Sequence, residues 1–119
     1  SLDVPLPHFV STIHVRKFRT LETICENLFD NNQNVATLAS CFKECHNLKF
    51  IPEKLFYKLE NLRDISGAFI ECITLKEIPE NLFINNKKID DVSSLFKNCL
   101  SLKSRPDMFQ NVYGHDTMY

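Results

Sequence analysis

"FKECHNLKFIPEKLF", residues 42–56, recurs as a near copy, "FIECITLKEIPENLF", at residues 69–83. The two stretches share the positions of Phe, Glu, Cys, Leu, Lys, Ile and Pro. A less complete copy starts at Phe96, and a partial one starts at Leu21. Because a repeat of this length indicates one structural unit stacked on itself, the period of twenty-seven decides the predicted architecture.

The repeat extends over many columns of like residues. The clearest columns are Phe42/Phe69/Phe96, Cys45/Cys72/Cys99, Leu48/Leu75/Leu102, Leu38/Ile65/Val92, Val35/Leu62/Ile89 and Pro52/Pro79/Pro106. No single unit can bury its own apolar face, but units stacked in register cover one another. Equivalent side chains are therefore expected to form continuous columns in a shared core.

Helical spacing recurs within each unit. Residues 91–99, "DVSSLFKNC", place apolar side chains at i, i+3, i+4 and i+7, which predicts one face of a helix. Asp90 or Asp91 is expected to cap its start. A second helix is predicted within "IPENLFINN", residues 78–86, because proline is tolerated in a first helical turn. Leu82 and Phe83 are expected to face inward, and Asn85 or Asn86 is expected to close the turn.

A short strand is predicted between the two helices of each unit. Leu75–Ile78 and Leu102–Arg105 are too short for a helix, and each is followed by proline, which cannot donate a hydrogen bond to a sheet. Each unit should therefore consist of a short strand, a short helix, a turn and a second helix.

Composition excludes several classes of protein. The 119 residues are 44% hydrophobic and 24% charged, with a formal net charge of −1, which gives no general attraction to nucleic acid or anionic membranes. No apolar run approaches the roughly 20 residues that cross a bilayer, so membrane insertion is not expected. Five cysteines are an odd number, so they cannot all pair within the chain.

The repeat also resembles a known family. The string "AFIECITLKEI", residues 68–78, is similar to the AFxxCxxLxxI core of the Treponema-type (BspA-like) leucine-rich repeats. The unit with "IPENLF" is similar to the related DUF285-like bacterial repeats. The resemblance implies a right-handed solenoid with a sheet on one face, used to bind proteins or host surfaces without catalytic residues.

The prediction is thus an α/β, leucine-rich-repeat-like solenoid of about four coils with a period of twenty-seven. It has short parallel strands on one face and short helices on the other. One domain should comprise an N-terminal cap (1–20), repeats (21–109) and a C-terminal tail or cap (110–119). Whether the last segment folds over the final coil or leads away from it stays open.

The cysteines are predicted to fill the core. Cys45, Cys72 and Cys99 stand among core positions, where a thiol behaves as a small hydrophobe. Cys41 and Cys45, at i and i+4, share a helix face that two metal ligands could use. However, no CxxC pair occurs, and His46 is expected to point away from that face. We therefore predict no metal, no cofactor and no enzymatic activity.

Solvent-facing strand positions are the predicted partner-binding site. They are Lys49, Phe50, Lys76, Glu77 and Lys103. The alternative interpretation of the lysines is a solvated face that protects a sheet edge. Phe50 is either an interface anchor or tucked beneath a neighbouring loop.

Two functions are compatible with these residues. One is a non-catalytic protein–protein binding module, the rigid surface of a bacterial surface or adhesion-type protein. The other is a small intracellular inhibitor or effector, encoded by a phage or a bacterium, that binds a host protein. The family resemblance favours the cell surface, whereas unpaired core cysteines favour a reducing compartment. The partner is predicted to be a protein and not a nucleic acid, and apolar ends of a short stack are compatible with a homodimer.

Overall fold

Regular secondary structure is almost absent from the part of the chain that the structure describes. The computed structural model describes residues 4–5 and 19–119, so most of the predicted N-terminal cap lies outside the described residues. The described part contains one short 3₁₀ helix, His115–Thr117. Three isolated parallel bridges join Thr37 to Asp64, Asp64 to Asp91, and Asp91 to Tyr113. The α/β prediction, with a strand face and a helix face, is therefore wrong.

Left-handed residues interrupt the predicted helices. Within residues 91–99, Ser94 and Asn98 have φ values of 56° and 60°, which a right-handed helix excludes. The same two repeat positions have positive φ values in the preceding units, at Ser40, Glu44, Gly67 and Glu71. The backbone instead makes consecutive turns, for example from Leu95 N–H to Val92 O at 3.2 Å and from Cys99 N–H to Phe96 O at 3.2 Å.

Residues 78–86 also form turns in place of the second predicted helix. Leu82 N–H donates to Pro79 O at 3.2 Å and Asn86 N–H donates to Phe83 O at 3.1 Å. Leu82 and Phe83 are buried, so the inward-facing side chains were assigned correctly although the backbone path was not.

Hydrogen bonds between repeats replace those of a helix. Phe42 N–H donates to Ala68 O at 2.8 Å, and the equivalent Phe69 N–H donates to Leu95 O at 2.9 Å. In residues 40–45 and again in residues 67–72, successive N–H groups alternate between a hydrogen bond inside the turn and a hydrogen bond to the next repeat. Since about half of the local N–H groups are satisfied only by a neighbour, one repeat alone leaves them without a protein partner.

Two columns of aromatic rings run through the core. One contains Phe29, Phe56, Phe83 and Phe109, and the other contains Phe42, Phe69, Phe96 and Tyr119. Consecutive rings of the second column are nearly parallel, with centroids 5.3, 5.5 and 6.0 Å apart. Equivalent side chains of successive repeats thus lie over one another, as the repeat period predicts.

Aspartates begin the turns that precede the second column. Asp64 Oδ1 accepts the N–H of Ser66 at 2.9 Å, and Asp91 Oδ1 accepts the N–H of Ser93 at 3.0 Å. Of the two predicted capping residues, Asp91 is therefore the one that binds the backbone, but it starts a turn and not a helix.

The C-terminal residues fold onto the last repeat. Val92 N–H donates to Tyr113 O at 2.9 Å and Phe96 N–H donates to Met118 O at 2.7 Å, where a further repeat would otherwise lie. Tyr119 stacks on Phe96, and its hydroxyl donates to the carbonyl of Pro106. This segment covers the apolar end of the column and supplies the carbonyls that the final unit needs.

Candidate functional site

The predicted binding residues lie together on one exposed strip, which we call the lysine ribbon. It consists of two adjacent columns, Glu22/Lys49/Lys76/Lys103 and Thr23/Phe50/Glu77/Ser104, and all eight residues are exposed. The structure therefore brings together all five residues that the sequence singled out.

Buried neighbours position each step of the ribbon, that is, the two ribbon residues of one repeat. In the second repeat Leu48 and Ile51 are buried on either side of Lys49 and Phe50, so these two side chains are left outside the core. Leu75 and Ile78 do the same in the next repeat. Apolar residues three positions apart thus determine which two side chains of every repeat face solvent.

Backbone hydrogen bonds connect the steps. Lys49 N–H donates to Glu22 O at 3.3 Å, Lys76 N–H donates to Lys49 O at 3.3 Å, and Lys103 N–H donates to Lys76 O at 3.0 Å. A single bond per repeat does not amount to a strand, so the strands predicted at Leu75–Ile78 and Leu102–Arg105 are not formed. The bonds still hold the lysines in vertical register.

The ribbon's charge is only partly neutralised within it. Lys103 Nζ lies 3.8 Å from Glu77 Oε1, with side chains 70% and 63% exposed, so this pair contributes little to stability. Lys49 and Lys76 form no ion pair with any described residue. Both cations are therefore available to a partner on this side of the described fold.

Phe50 is the aromatic residue of the ribbon. It is 52% exposed, whereas the phenylalanines of the two core columns are buried. Phe50 is therefore not covered by a loop of the described residues, which was the alternative interpretation of this side chain. Two other exposed apolar side chains, Ile73 and Leu100, occupy a neighbouring column three residues before Lys76 and Lys103.

The cysteine column is part of the core, which confirms the sequence prediction for Cys45, Cys72 and Cys99. The Cys72 thiol donates to Phe42 O at 3.1 Å and the Cys99 thiol donates to Phe69 O at 3.0 Å. Burial raises the pKa of Cys99 to about 11 and raises the pKa of Cys72 further. Because thiolates are the reactive form, neither side chain is suited to nucleophilic chemistry near neutral pH.

Sequence reasoning missed one cluster of potential ligands. One donor atom each from Glu44, His46 and Glu71 lies within 4.8 Å of the other two, and all three side chains are half-buried. The sequence pairs these residues only through the repeat, since Glu71 stands one period after Glu44. Equivalent carboxylates in successive repeats are the signal that could have found them.

Comparisons with protein families and with curated proteins name no relative from which a function could be inferred. No protein-family model matches the chain, and no curated protein matches it significantly. Within the described residues, no helix is both long and apolar enough to span a bilayer.

Proposed function

We propose that the protein is a non-catalytic protein-binding module and that its lysine ribbon contacts an acidic surface on a partner protein. The observation that carries the proposal is the position of Phe50, which is half-exposed beside two lysines that have no ion-pair partner among the described residues. A large exposed aromatic side chain flanked by cations is typical of an interface anchor.

The support beneath the ribbon favours binding over a solvated surface. Each step is held by buried side chains on both sides and by a backbone hydrogen bond to the next repeat. A rigid strip loses little conformational entropy when a partner binds. Lysines on such a strip accelerate association with an acidic surface, and Phe50 supplies apolar contact.

The eight residues of the ribbon are fewer than the roughly 20–30 that each partner contributes to a standard interface, which buries about 800 Å² per partner. Ile73 and Leu100 lie next to it in sequence and are also exposed, at 37% and 78%. We therefore include this apolar column in the proposed contact area, with the lysines at its margin.

A charge-reversal experiment tests the proposal. The ribbon variant carries K49E, K76E and K103E, and a matched control carries K54E, K87E and K97E, three exposed lysines outside the ribbon. Both variants change the net charge equally. Proteins captured from an extract of the source cells by the wild type and the control should be lost with the ribbon variant and reduced with F50A.

Two results would reject this surface. One is capture of the same proteins by the ribbon variant as by the wild type. The other is loss of captured material after nuclease treatment, because a nucleic acid would then be the ligand of the lysines.

The buried thiols favour one cellular setting for this activity. Cys72 and Cys99 donate hydrogen bonds to backbone carbonyls as thiols, and core thiols of this kind persist in a reducing compartment. Of the two settings compatible with the sequence, an intracellular inhibitor or effector therefore agrees better with these contacts than a surface adhesin does.

A further inference from the structure

We propose that Glu44, His46 and Glu71 form a binding site for a divalent transition metal, with Zn²⁺ as the best-matched ion. The site would join two successive repeats, since Glu44 and His46 belong to one and Glu71 to the next. It lies outside the eight residues of the lysine ribbon, although His46 belongs to the same repeat column as Ile73 and Leu100, and metal binding can be tested without any partner protein.

The geometry of the three donors fits a metal ion. Three atoms that lie within 4.8 Å of one another are all within about 2.8 Å of a common point, which is 4.8 Å divided by √3. Zn–N and Zn–O bonds are about 2.0–2.2 Å long. Side-chain rotations that move each donor by less than about 1 Å would therefore complete the coordination.

No other interaction among the described residues accounts for the close spacing of these three side chains. Among residues 19–119 there is no ion pair between His46 and either glutamate, and none from a lysine or arginine to Glu44 or Glu71. Two carboxylates brought together without a cation repel each other. A bound divalent cation would remove that repulsion.

The backbone holds the two glutamates in equivalent positions. Glu44 N–H donates to Ile70 O at 2.7 Å, and Glu71 N–H donates to Lys97 O at 2.8 Å. Both residues are left-handed, with φ values of 60° and 57°, as is Asn98 one repeat later with 60°. Asparagine tolerates this conformation better than glutamate does, so the carboxylates are placed there against local backbone preference.

The ligand types select the class of metal. One imidazole nitrogen with two carboxylate oxygens suits Zn²⁺ and its neighbours, whereas Mg²⁺ and Ca²⁺ prefer sites made only of oxygen. Three protein ligands on a half-exposed surface leave a fourth position for water. We assign the site a bridging role between repeats, because its ligands belong to two of them.

Isothermal titration of the chelator-treated, intact chain with ZnCl₂ tests the assignment. The wild type should bind one equivalent that E44Q/E71Q does not bind, and H46A should bind it at least tenfold more weakly. The matched control is E53Q/E80Q, which removes two exposed glutamates that also stand one repeat apart. This control should bind Zn²⁺ as the wild type does.

Titration with CoCl₂ separates this site from the cysteines. Coordination by nitrogen and oxygen gives a visible spectrum without the intense thiolate-to-cobalt charge-transfer band. The proposal is overturned if the wild type binds no Zn²⁺, if E44Q/E71Q and E53Q/E80Q bind it equally, or if the charge-transfer band dominates. Equal thermal midpoints of the two variants in EDTA would show that the lost binding reflects lost ligands and not unfolding.

Discussion

Truncation of Phe69 should destabilise the protein more than truncation of any exposed aromatic side chain. Phe69 is fully buried near the middle of the second aromatic column. Its ring lies 5.3 Å from that of Phe42, 5.5 Å from that of Phe96 and 6.4 Å from that of Phe56. Phe69 therefore contacts both neighbours in its own column and one ring of the adjacent column.

The expected magnitude follows from these contacts. A buried Phe→Ala change costs about 3–5 kcal/mol in free energy of unfolding. Each lost ring pair adds about 0.5–1.5 kcal/mol beyond area burial, so Phe69→Ala should fall at the upper end, near 5 kcal/mol. Domains of this kind are stable by about 5–15 kcal/mol, so a loss near 5 kcal/mol could unfold the protein. Phe69→Leu, with an expected loss of about 1–2 kcal/mol, should stay folded and is the variant to measure.

Urea unfolding, followed by near-ultraviolet circular dichroism of the Phe and Tyr rings, measures this loss. Calorimetry provides the thermal midpoint, since a fold with one short 3₁₀ helix among its described residues gives little far-ultraviolet signal to follow. Phe50→Ala is the control, because a side chain that is 52% exposed should change stability by less than about 0.5 kcal/mol. If Phe69→Leu is no more destabilising than Phe50→Ala, the stacked column does not support the fold as described.

Three further perturbations test other parts of the structure. Gly67→Ala should lower the free energy of unfolding by about 1–2 kcal/mol in urea, because φ is 62° and the new Cβ would lie 2.7 Å from an isoleucine side chain. A hydrogen bond from His115 lowers the pKa of Asp107 in the folded protein. The contribution of this contact to stability is therefore present above the pKa of Asp107 in the unfolded chain and is lost as pH falls through its pKa in the folded protein. Below about pH 4, the thermal midpoint of the wild type should therefore decline more steeply than that of Asp107→Asn. Cys72 and Cys99 should be alkylated on the order of 100-fold more slowly in the native protein than in urea at pH 8, as measured by mass spectrometry of the labelled peptides.

Each of these results has a clear opposite. A neutral Gly67→Ala would mean that the left-handed turn is not maintained. Parallel pH profiles for the wild type and Asp107→Asn would remove the contact with His115 from the account of the C-terminal segment. Equal labelling of native and unfolded protein would place the cysteines outside the core.

The sequence determined which side chains share a column. Phe42, Phe69 and Phe96 align at successive repeat periods because each unit exposes an apolar face that only an equivalent face can cover. The same pattern identified the exposed positions between Leu48 and Ile51, and so the lysine ribbon. These assignments depend on burial, which a periodic sequence specifies directly.

Tertiary contacts decided between alternatives that the sequence left open. Of the two asparagines expected to close a turn, Asn86 is buried and donates to Phe56 O and Leu59 O, each at 2.9 Å. Asn85 stays exposed and donates to Tyr57 O at 3.3 Å. The choice depends on carbonyls of the preceding repeat, which are distant along the chain. The Glu44, His46 and Glu71 cluster was not predicted for the same reason, because its ligands come from two repeats that are distant along the chain.

The sequence by itself thus determined the repeat, the core columns and the exposed ribbon, whereas only the tertiary structure decided the path of the backbone. Apolar residues at i, i+3, i+4 and i+7 are typical of a helix, but in residues 91–99 side chains with this spacing are buried by consecutive turns. The difference lies in where N–H groups such as that of Phe69 are satisfied, and here its acceptor is Leu95 O in the next repeat. Side-chain periodicity shows which residues must be buried, but a hydrogen bond to a distant carbonyl exists only once the repeats are stacked.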